Sequence, residues 1–231
     1  MAMTAQPPDS TVGEGVRSLE ARWIFPGQLT AAVARWFGRF PAEMESREDT
    51  YLLDPPLPGL SVKVRGGGAL EVKMFRGSPG MLEVAARARG QMESWQKWSF
   101  PFRRPLSQHS TDPASWRPVR KRRRISRFSS ADGQTVALAV GLGNERRCEV
   151  ELTEVRTGGQ DWWTLGFEAT GPADLLRGQL QATAALVFAQ ALPSDAQPGP
   201  DESSSYAQWL SLRLGADSNA NALRLSLRRA G

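Results

Sequence analysis

The chain has 231 residues, of which 40% are hydrophobic and 23% charged, a composition typical of a folded globular protein rather than a disordered one. Its 29 Lys and Arg against 24 Asp and Glu give a net charge of +5, and its single Cys and single His exclude an internal disulfide and a Cys- or His-rich metal site. No apolar run reaches the roughly 18 residues needed to span a membrane, and residues 1–15 lack the apolar core of a signal peptide, so we expect a cytoplasmic protein.

The chain divides by composition into four parts. Residues 1–16 are polar, and we expect a flexible leader there. Residues 17–192 carry short segments separated by turn signals such as TGG at 157–159, which predicts one antiparallel β domain. Residues 193–205 are rich in Pro, Ser and Asp, and we expect a linker with nothing to bury. Residues 206–231 fit either a helix or a pair of strands, and the pattern leaves both open.

Two segments have the periodicity of amphipathic helices. Residues 27–40 place Val33 and Trp36 on one face. Residues 172–191 begin with Pro172, a residue favoured in the first turn of a helix, and continue with Leu and Ala at helical spacing. Each helix has one apolar face and therefore needs a sheet to pack on.

Six segments alternate between polar and apolar residues, which in a strand places the charged residues on one face. These segments are 18–23, 60–65, 70–74, 122–126, 148–153 and 163–168. The residues assigned to the charged faces are Glu20, Arg22, Lys63, Arg65, Glu71, Lys73, Arg122, Arg124, Glu149, Glu151 and Glu168. The opposite faces are apolar and bulky, and Cys148 on one of them is expected to be a core residue.

The orientation of these charged faces decides the architecture. In an open sheet they would simply meet solvent. If the two helices cover the apolar faces, the charged faces turn inward, and the sequence predicts an α+β protein built on an antiparallel β tunnel barrel of about eight strands with helices packed outside. Charges inside such a barrel are costly unless water, ions or a ligand compensate them, so we expect a wet or ion-filled lumen.

The predicted lumen has the chemistry of a polyanion site. Arg and Lys grip phosphate through charge-assisted hydrogen bonds, and the predicted substrate-binding residues are Arg22, Lys63, Arg65, Lys73, Arg122 and Arg124. Carboxylates hold a hard cation such as Mg²⁺ or Mn²⁺ that bridges to phosphate, and the predicted metal ligands are Glu20, Glu149, Glu151 and Glu168. The predicted catalytic residues, which would hold the metal or orient an attacking water, are Glu20, Glu149 and Glu151.

The order of these segments resembles the CYTH domain, also called the triphosphate tunnel metalloenzyme superfamily. LEARW at 19–23 is similar to the end of the family signature Glu-x-Glu-x-Lys, and REDTYLLD at 47–54 is similar to its D-x-Y-(Y/L)-D segment. The remaining similar segments are VKVR at 62–65, LEVK at 70–73, the basic strand at 122–124 and the acidic strands at 149–151 and 166–168. The resemblance spans residues 17–192.

The resemblance implies an eight-stranded antiparallel tunnel that binds triphosphates with a divalent metal, as in triphosphatases and class IV adenylyl cyclases. Two positions depart from the family pattern. Ser18 stands where the signature has its first Glu, a metal ligand in the family, and Thr153 stands where the late acidic strand has Asp. A hydroxyl contributes less charge to a hard cation, so polyanion binding survives this change more easily than metal-dependent hydrolysis.

Three functions therefore stay open. The first is binding of a triphosphate or polyphosphate with Mg²⁺- or Mn²⁺-dependent hydrolysis, as in a triphosphatase-like phosphohydrolase, and the second is the same binding without turnover. The third is nucleic-acid binding through the basic run RKRRR at 120–124, with the eight Trp residues as stacking platforms. Against the third, the run divides between both faces of a strand, and nearby carboxylates would repel a nucleic-acid backbone.

Overall fold

A computed structural model describes residues 15–53, 57, 59–66, 68–101, 115–131, 134–141, 147–194 and 196–212. The strands and helices within these residues are β1 (Val16–Pro26), α1 (Ala31–Phe37), β2 (Glu43–Leu52), β3 (Leu60–Arg65), β4 (Ala69–Val84), β5 (Ala88–Pro101), β6 (Trp116–Ala131), β7 (Gln134–Ala137), β8 (Arg147–Thr157), β9 (Gln160–Thr170) and α2 (Leu176–Val187). A further helix, α3, covers residues 206–212.

Eight of these strands close into an antiparallel barrel. Neighbouring strands pair in the order β2-β3-β4-β5-β1-β9-β8-β6, and β6 pairs back onto β2. The closing pair is long, running from Glu43 opposite Ile125 to Leu52 opposite Trp116. β7 extends the sheet beside the last residues of β6. The predicted α+β fold with an antiparallel barrel is therefore confirmed.

The apolar faces of β1, β8 and β9 point outward and pack in one core with α1 and α2. Trp23 of β1 is fully buried in a core that it shares with Leu180 of α2. Its ring meets the rings of Phe167 and Phe188 edge-on, at centroid distances of 6.0 and 5.9 Å. Because alternate residues of a strand face opposite sides, burying this outer face turns the charged face of β1 into the barrel.

Both covering helices are shorter than the periodicity predicted. α1 begins only at Ala31 because Gly27, with a φ of 86°, forms the turn that ends β1, and Thr30 caps the helix by accepting a hydrogen bond from the Val33 amide at 3.3 Å. Residues 173–175 form a turn before α2. Both helices still place their apolar faces against the barrel, as expected.

The chain after α2 joins the barrel wall. The Ser204 amide donates to the Arg22 carbonyl at 3.0 Å, and Ser203 forms a β-bridge with Trp23. This contact lies along the part of β1 that no longer pairs with β5. Ala196 is also buried. The composition of residues 193–205 predicted a linker with nothing to bury, and the structure differs. A single β-bridge leaves no periodic signal in the sequence from which this contact could be predicted.

α3 closes one end of the barrel. Its Trp209 and Leu210 pack against Ile24, Val119 and Trp162, which come from three different strands. The rings of Trp162 and Trp209 meet edge-on at 5.2 Å. The sequence had left residues 206–231 open between a helix and a strand pair, and residues 206–212 form a helix, whereas 213–231 lie outside the described residues.

The described residues include no helix that is both long and apolar enough to cross a membrane. The predicted flexible leader lies outside the described residues except for its last two positions, of which Val16 belongs to β1.

Candidate functional site

The barrel surrounds a cavity of about 940 Å³, called the lumen here, which is lined by side chains from all eight barrel strands. This volume lies in the range of sites that hold a small molecule. Within the described residues, the lining contains eleven Lys or Arg side chains and eight Glu side chains. The lumen is therefore highly charged, with cations in excess.

Eight of the residues predicted to form the site line the lumen together. They are Glu20, Arg22, Lys63, Arg65, Lys73, Glu149, Glu151 and Glu168. These residues are up to 148 positions apart in sequence. The alternation within each strand had assigned them to the face that lines the lumen.

Two predicted site residues, Arg122 and Arg124, lie on the outer face of β6. Arg122 borders a groove outside the barrel, and Arg124 forms an ion pair with Glu154 at 3.0 Å. The lumen-facing cations of β6 are instead those at the odd positions, Lys121, Arg123 and Arg127. The prediction assigned the wrong face because five consecutive basic residues show no alternation, and because Ile125, taken as an outward residue, faces the lumen.

The lumen faces of β2 and β5 were not predicted from the sequence. From β2 come Glu45 and Arg47, and from β5 come Glu93 and Lys97. The burial pattern of β2 alternates, but its outer residues, such as Glu48, are exposed and polar. When both faces of a strand are polar, the two faces do not differ in polarity, and the sequence alone does not show which face points into the barrel. The alternation of residue types was a usable signal only where the outer face of the strand is apolar.

The Asp49 carboxylate is fully buried and holds three cations. Its Oδ2 accepts hydrogen bonds from Lys121 Nζ at 2.9 Å and Lys63 Nζ at 3.1 Å, and Arg47 Nε lies 3.1 Å from Oδ1. Burial opposes ionisation, but these cations outweigh it and hold the pKa of Asp49 well below its ordinary value. Lys121 also donates to Tyr51 Oη at 2.7 Å. This cluster fixes β2, β3 and β6 to one another.

A second buried carboxylate, Glu151, lies between two arginines. Arg123 Nη2 donates to its Oε1 at 2.5 Å, and Arg22 Nη2 lies 3.8 Å from its Oε2. Burial opposes ionisation of Glu151, but Arg123 and Arg22 outweigh it and lower the pKa well below its ordinary value. Arg123 also pairs with Glu45, so it connects β2, β6 and β8.

Four glutamates from adjacent strands lie in register across one wall of the lumen and are called the glutamate row here. Glu20 is opposite Glu93 on one side and Glu168 on the other, and Glu168 is opposite Glu149. Like charges at such positions destabilise a sheet unless cations compensate them.

The cation at the centre of the glutamate row is Lys73. Its Nζ donates to Glu20 Oε1 at 2.6 Å and lies 3.8 Å from Glu168 Oε1. Ser18 Oγ donates to the same oxygen of Glu20 at 2.6 Å, and Lys97 Nζ lies 3.9 Å from Glu168 Oε1. Burial opposes the charge of Lys73, but Glu168 and Glu20 outweigh it and raise the pKa of the ammonium above its ordinary value.

At the end of the glutamate row, Glu93 makes no ion pair with any Lys or Arg of the described chain. Its Oε2 accepts a hydrogen bond from Trp95 Nε1 at 3.0 Å. Burial raises the pKa of Glu93 above its ordinary value, and the neighbouring Glu20 acts in the same direction. Glu93 is therefore the lumen carboxyl least suited to carry a negative charge.

The side chains predicted to hold Mg²⁺ or Mn²⁺ do not form a metal site. Each is already compensated by protein cations: Glu20 by Lys73, Glu149 by Arg127 and Arg147, Glu151 by Arg123 and Arg22, and Glu168 by Lys73 and Lys97. Among the described residues, no group of three or more His, Cys, Asp or Glu side chains is placed to bind a metal ion. The donor set therefore does not fit a divalent metal.

No family model matches the sequence, and no curated protein matches it. Similar solved structures include the PH1819 protein from Pyrococcus horikoshii OT3, with a TM-score of 0.46 and 11% sequence identity over 86% of this chain and 99% of that chain. Another is the S. pombe Pct1 RNA triphosphatase in complex with the Spt5 CTD, with a TM-score of 0.38 and 11% identity over 79% of this chain and 83% of that chain. Both likenesses are distant, and the closure of the barrel rests on its strand pairings.

Proposed function

We propose that the barrel binds a triphosphate or a short polyphosphate in its lumen, without turning it over. The observation that carries this proposal is the convergence of eleven cationic side chains from seven of the eight barrel strands on one cavity of about 940 Å³. Cations in a cleft with low-dielectric walls reinforce one another and concentrate anions there. Arg and Lys also match the oxygens of phosphate through charge-assisted hydrogen bonds.

The lumen suits a linear anion because its cations are spread over the whole wall. Lys63 and Arg65 come from β3, Lys73 from β4 and Arg22 from β1. A single phosphate could reach only some of these groups, whereas a chain of phosphates presents charged oxygens along its length. The eight-stranded barrel has room for side chains or one small ligand, and this excludes a nucleic-acid duplex from the lumen.

Binding without turnover is the function that the described side chains support best. Phosphoryl transfer needs a group that orients or deprotonates the nucleophile, together with cations that neutralise the developing charge. The predicted catalytic residues Glu20, Glu149 and Glu151 all form ion pairs with protein cations. The carboxylates are thus engaged in holding lumen cations in place, and this leaves them poorly placed to orient or deprotonate a nucleophile.

A thermal-shift titration of the purified protein with tripolyphosphate, ATP, pyrophosphate and sulfate tests this proposal. A ligand that binds only the folded state adds about 2.7 kcal/mol of stability at about 100 times its Kd. We expect tripolyphosphate to raise the Tm more than sulfate at equal ionic strength. Release of phosphate in the same samples would contradict the proposed lack of turnover and show hydrolysis instead.

The matched variants are Arg65→Ala in the lumen and Arg122→Ala on the outer face. Arg65 is 40% exposed on its side chain, and its partner Glu71 keeps Lys63 at 3.1 Å, so we expect the variant to fold while it loses a lumen cation. We expect the Tm shift to shrink in Arg65→Ala and to persist in Arg122→Ala. The absence of any shift with every phosphate tested would refute the proposal.

A further inference from the structure

Lys73 lies where two glutamates of the glutamate row face each other across β1 and β9. Its ammonium is 2.6 Å from Glu20 Oε1 and 3.8 Å from Glu168 Oε1. An ammonium is a compact charge with three donors, so one lysine can contact two carboxylates as a bridging cation does. The glutamate row is thus joined by a cation that belongs to the protein.

The Glu20 oxygen that Lys73 contacts has a second donor. Ser18 Oγ donates to the same Oε1 at 2.6 Å. A divalent metal that used this oxygen would have to displace both the ammonium and the hydroxyl. Mg²⁺ also demands near-ideal octahedral geometry at about 2.0–2.1 Å and gives up its water reluctantly, so the exchange is unfavourable.

The neighbouring cations oppose a metal as well. Lys97 Nζ lies 3.9 Å from Glu168 Oε1, and Lys97 is the register partner of Lys73. Two ammonium groups therefore lie beside the same carboxylate. A dication placed there would be repelled by both, and each carboxylate would be shared among more positive charges than it can compensate.

We infer that the lumen takes up its polyanion in the metal-free form, with Lys73 joining Glu20 to Glu168 in the position that a bridging divalent cation would occupy. This inference rests on the proposed function and specifies the ionic form of the ligand. Lys73 and Lys97 keep the glutamate row from repelling the incoming anion, so phosphate oxygens contact protein cations directly.

Binding of the metal-free anion determines how the affinity for tripolyphosphate changes when magnesium is added. Mg²⁺ binds tripolyphosphate in solution, where it occupies oxygens and reduces the negative charge of the anion. A lumen that contacts the free anion then competes with Mg²⁺ for it. A lumen that needs the metal as a bridge would instead bind more tightly when Mg²⁺ is added.

Isothermal titration calorimetry with tripolyphosphate, first in EDTA and then in excess Mg²⁺, separates the two cases. We expect binding in EDTA and a Kd about tenfold or more weaker in Mg²⁺, the equivalent of one lost charge-assisted hydrogen bond. Binding that appears only with Mg²⁺ would overturn the inference and leave the proposed function standing. No binding in either buffer would overturn the proposed function itself.

The variant Lys73→Met tests the role of the ammonium, with Arg122→Ala on the outer face as its matched control. We expect Lys73→Met to weaken binding in EDTA by about tenfold and to make Mg²⁺ favourable, because Glu20 and Glu168 lose their shared cation. Arg122→Ala should keep the wild-type response to Mg²⁺. An unchanged response in Lys73→Met, with its fold verified by circular dichroism, would contradict the assignment, and the wild-type titration decides the inference even where this variant does not fold.

Discussion

The guanidinium of Arg22 lies directly over Gly166, so closely that a Cβ at position 166 would be 2.6 Å from Arg22 Cζ. The two residues are register partners on β1 and β9. Glycine leaves the space into which the arginine turns, and there Arg22 Nη1 donates to Thr164 Oγ1 at 3.1 Å. The missing side chain at 166 therefore sets the position of a lumen cation.

Gly166→Ala should weaken tripolyphosphate binding while the barrel stays folded. The new methyl group would overlap the guanidinium, and Arg22 would have to leave its place beside Glu151. We expect a loss of about tenfold in affinity, which titration calorimetry would measure.

The control for this change is Gly178→Ala in α2, where an added Cβ would meet no atom within 4 Å. Alanine is the better helix former, so this variant should gain about 0.5–1 kcal/mol of stability and bind as the wild type does. Equal affinities for the two alanine variants would show that the position of Arg22 does not matter for binding.

Adjacent arginines of β6 should differ sharply in their effect on stability. Arg123→Ala leaves Glu151 and Glu45 without their shared partner inside the barrel, and breaking a buried ion pair costs about 3–5 kcal/mol. Arg122→Ala removes an exposed side chain and should change stability by less than about 0.5 kcal/mol. Urea unfolding followed by tryptophan fluorescence measures both, and a larger loss for Arg122→Ala would contradict the strand orientation.

Stability should fall in acid as Glu71 is protonated. Burial opposes the charge of Glu71, but Lys63 and Arg65 outweigh it and lower the pKa from 4.5 to about 2. A pKa that is lower in the folded state stabilises the fold fully above the ordinary value of 4.5, and this contribution is lost as the pH falls from there through about 2.

The measurement is the midpoint of urea unfolding between neutral pH and acid, compared between the wild type and Glu71→Gln. Because the amide does not titrate, the variant should start less stable and lose less of its stability in acid. Parallel curves for the two proteins would mean that Glu71 is not ion-paired in the folded state.

Cys148 should be unreactive in the folded protein. Its side chain is 1% exposed in the outer core, and burial raises the pKa of the thiol to about 12. Since the thiolate is the reactive form, a disulfide reagent at mildly alkaline pH should modify Cys148 only after unfolding. Cys148→Ser provides the baseline without a thiol, and rapid modification of the native protein would place this residue on the surface instead.

The sequence predicted the strands whose outer face is apolar and failed where the outer face is polar. In β1, Leu19 and Trp23 alternate with Glu20 and Arg22, so the contrast between faces identifies the lumen side. In β6 that contrast is absent, and the wrong set of arginines was assigned to the lumen. The substrate-binding roles, the cytoplasmic location and the domain boundaries remain predictions.

Long-range contacts could not be read from any local pattern. The pairing of β2 with β6, which closes the barrel, joins residues such as Asp49 and Val119 whose proximity depends on the path of the whole chain. The ion pair of Lys73 with Glu20 depends in the same way on the order of the strands. Residue types indicated a charged interior, whereas which charges compensate one another is decided by the tertiary fold.

Trp209 and Leu210 pack over one end of the barrel formed by the described residues, so a ligand cannot pass straight through that end of the lumen. A linear phosphate chain bound in the lumen would then place one terminus toward α3, and a chain longer than the lumen would be held by that terminal part. If the proposed binding holds, we expect the number of chain ends, and not the chain length, to set how many copies of the protein one polyphosphate binds.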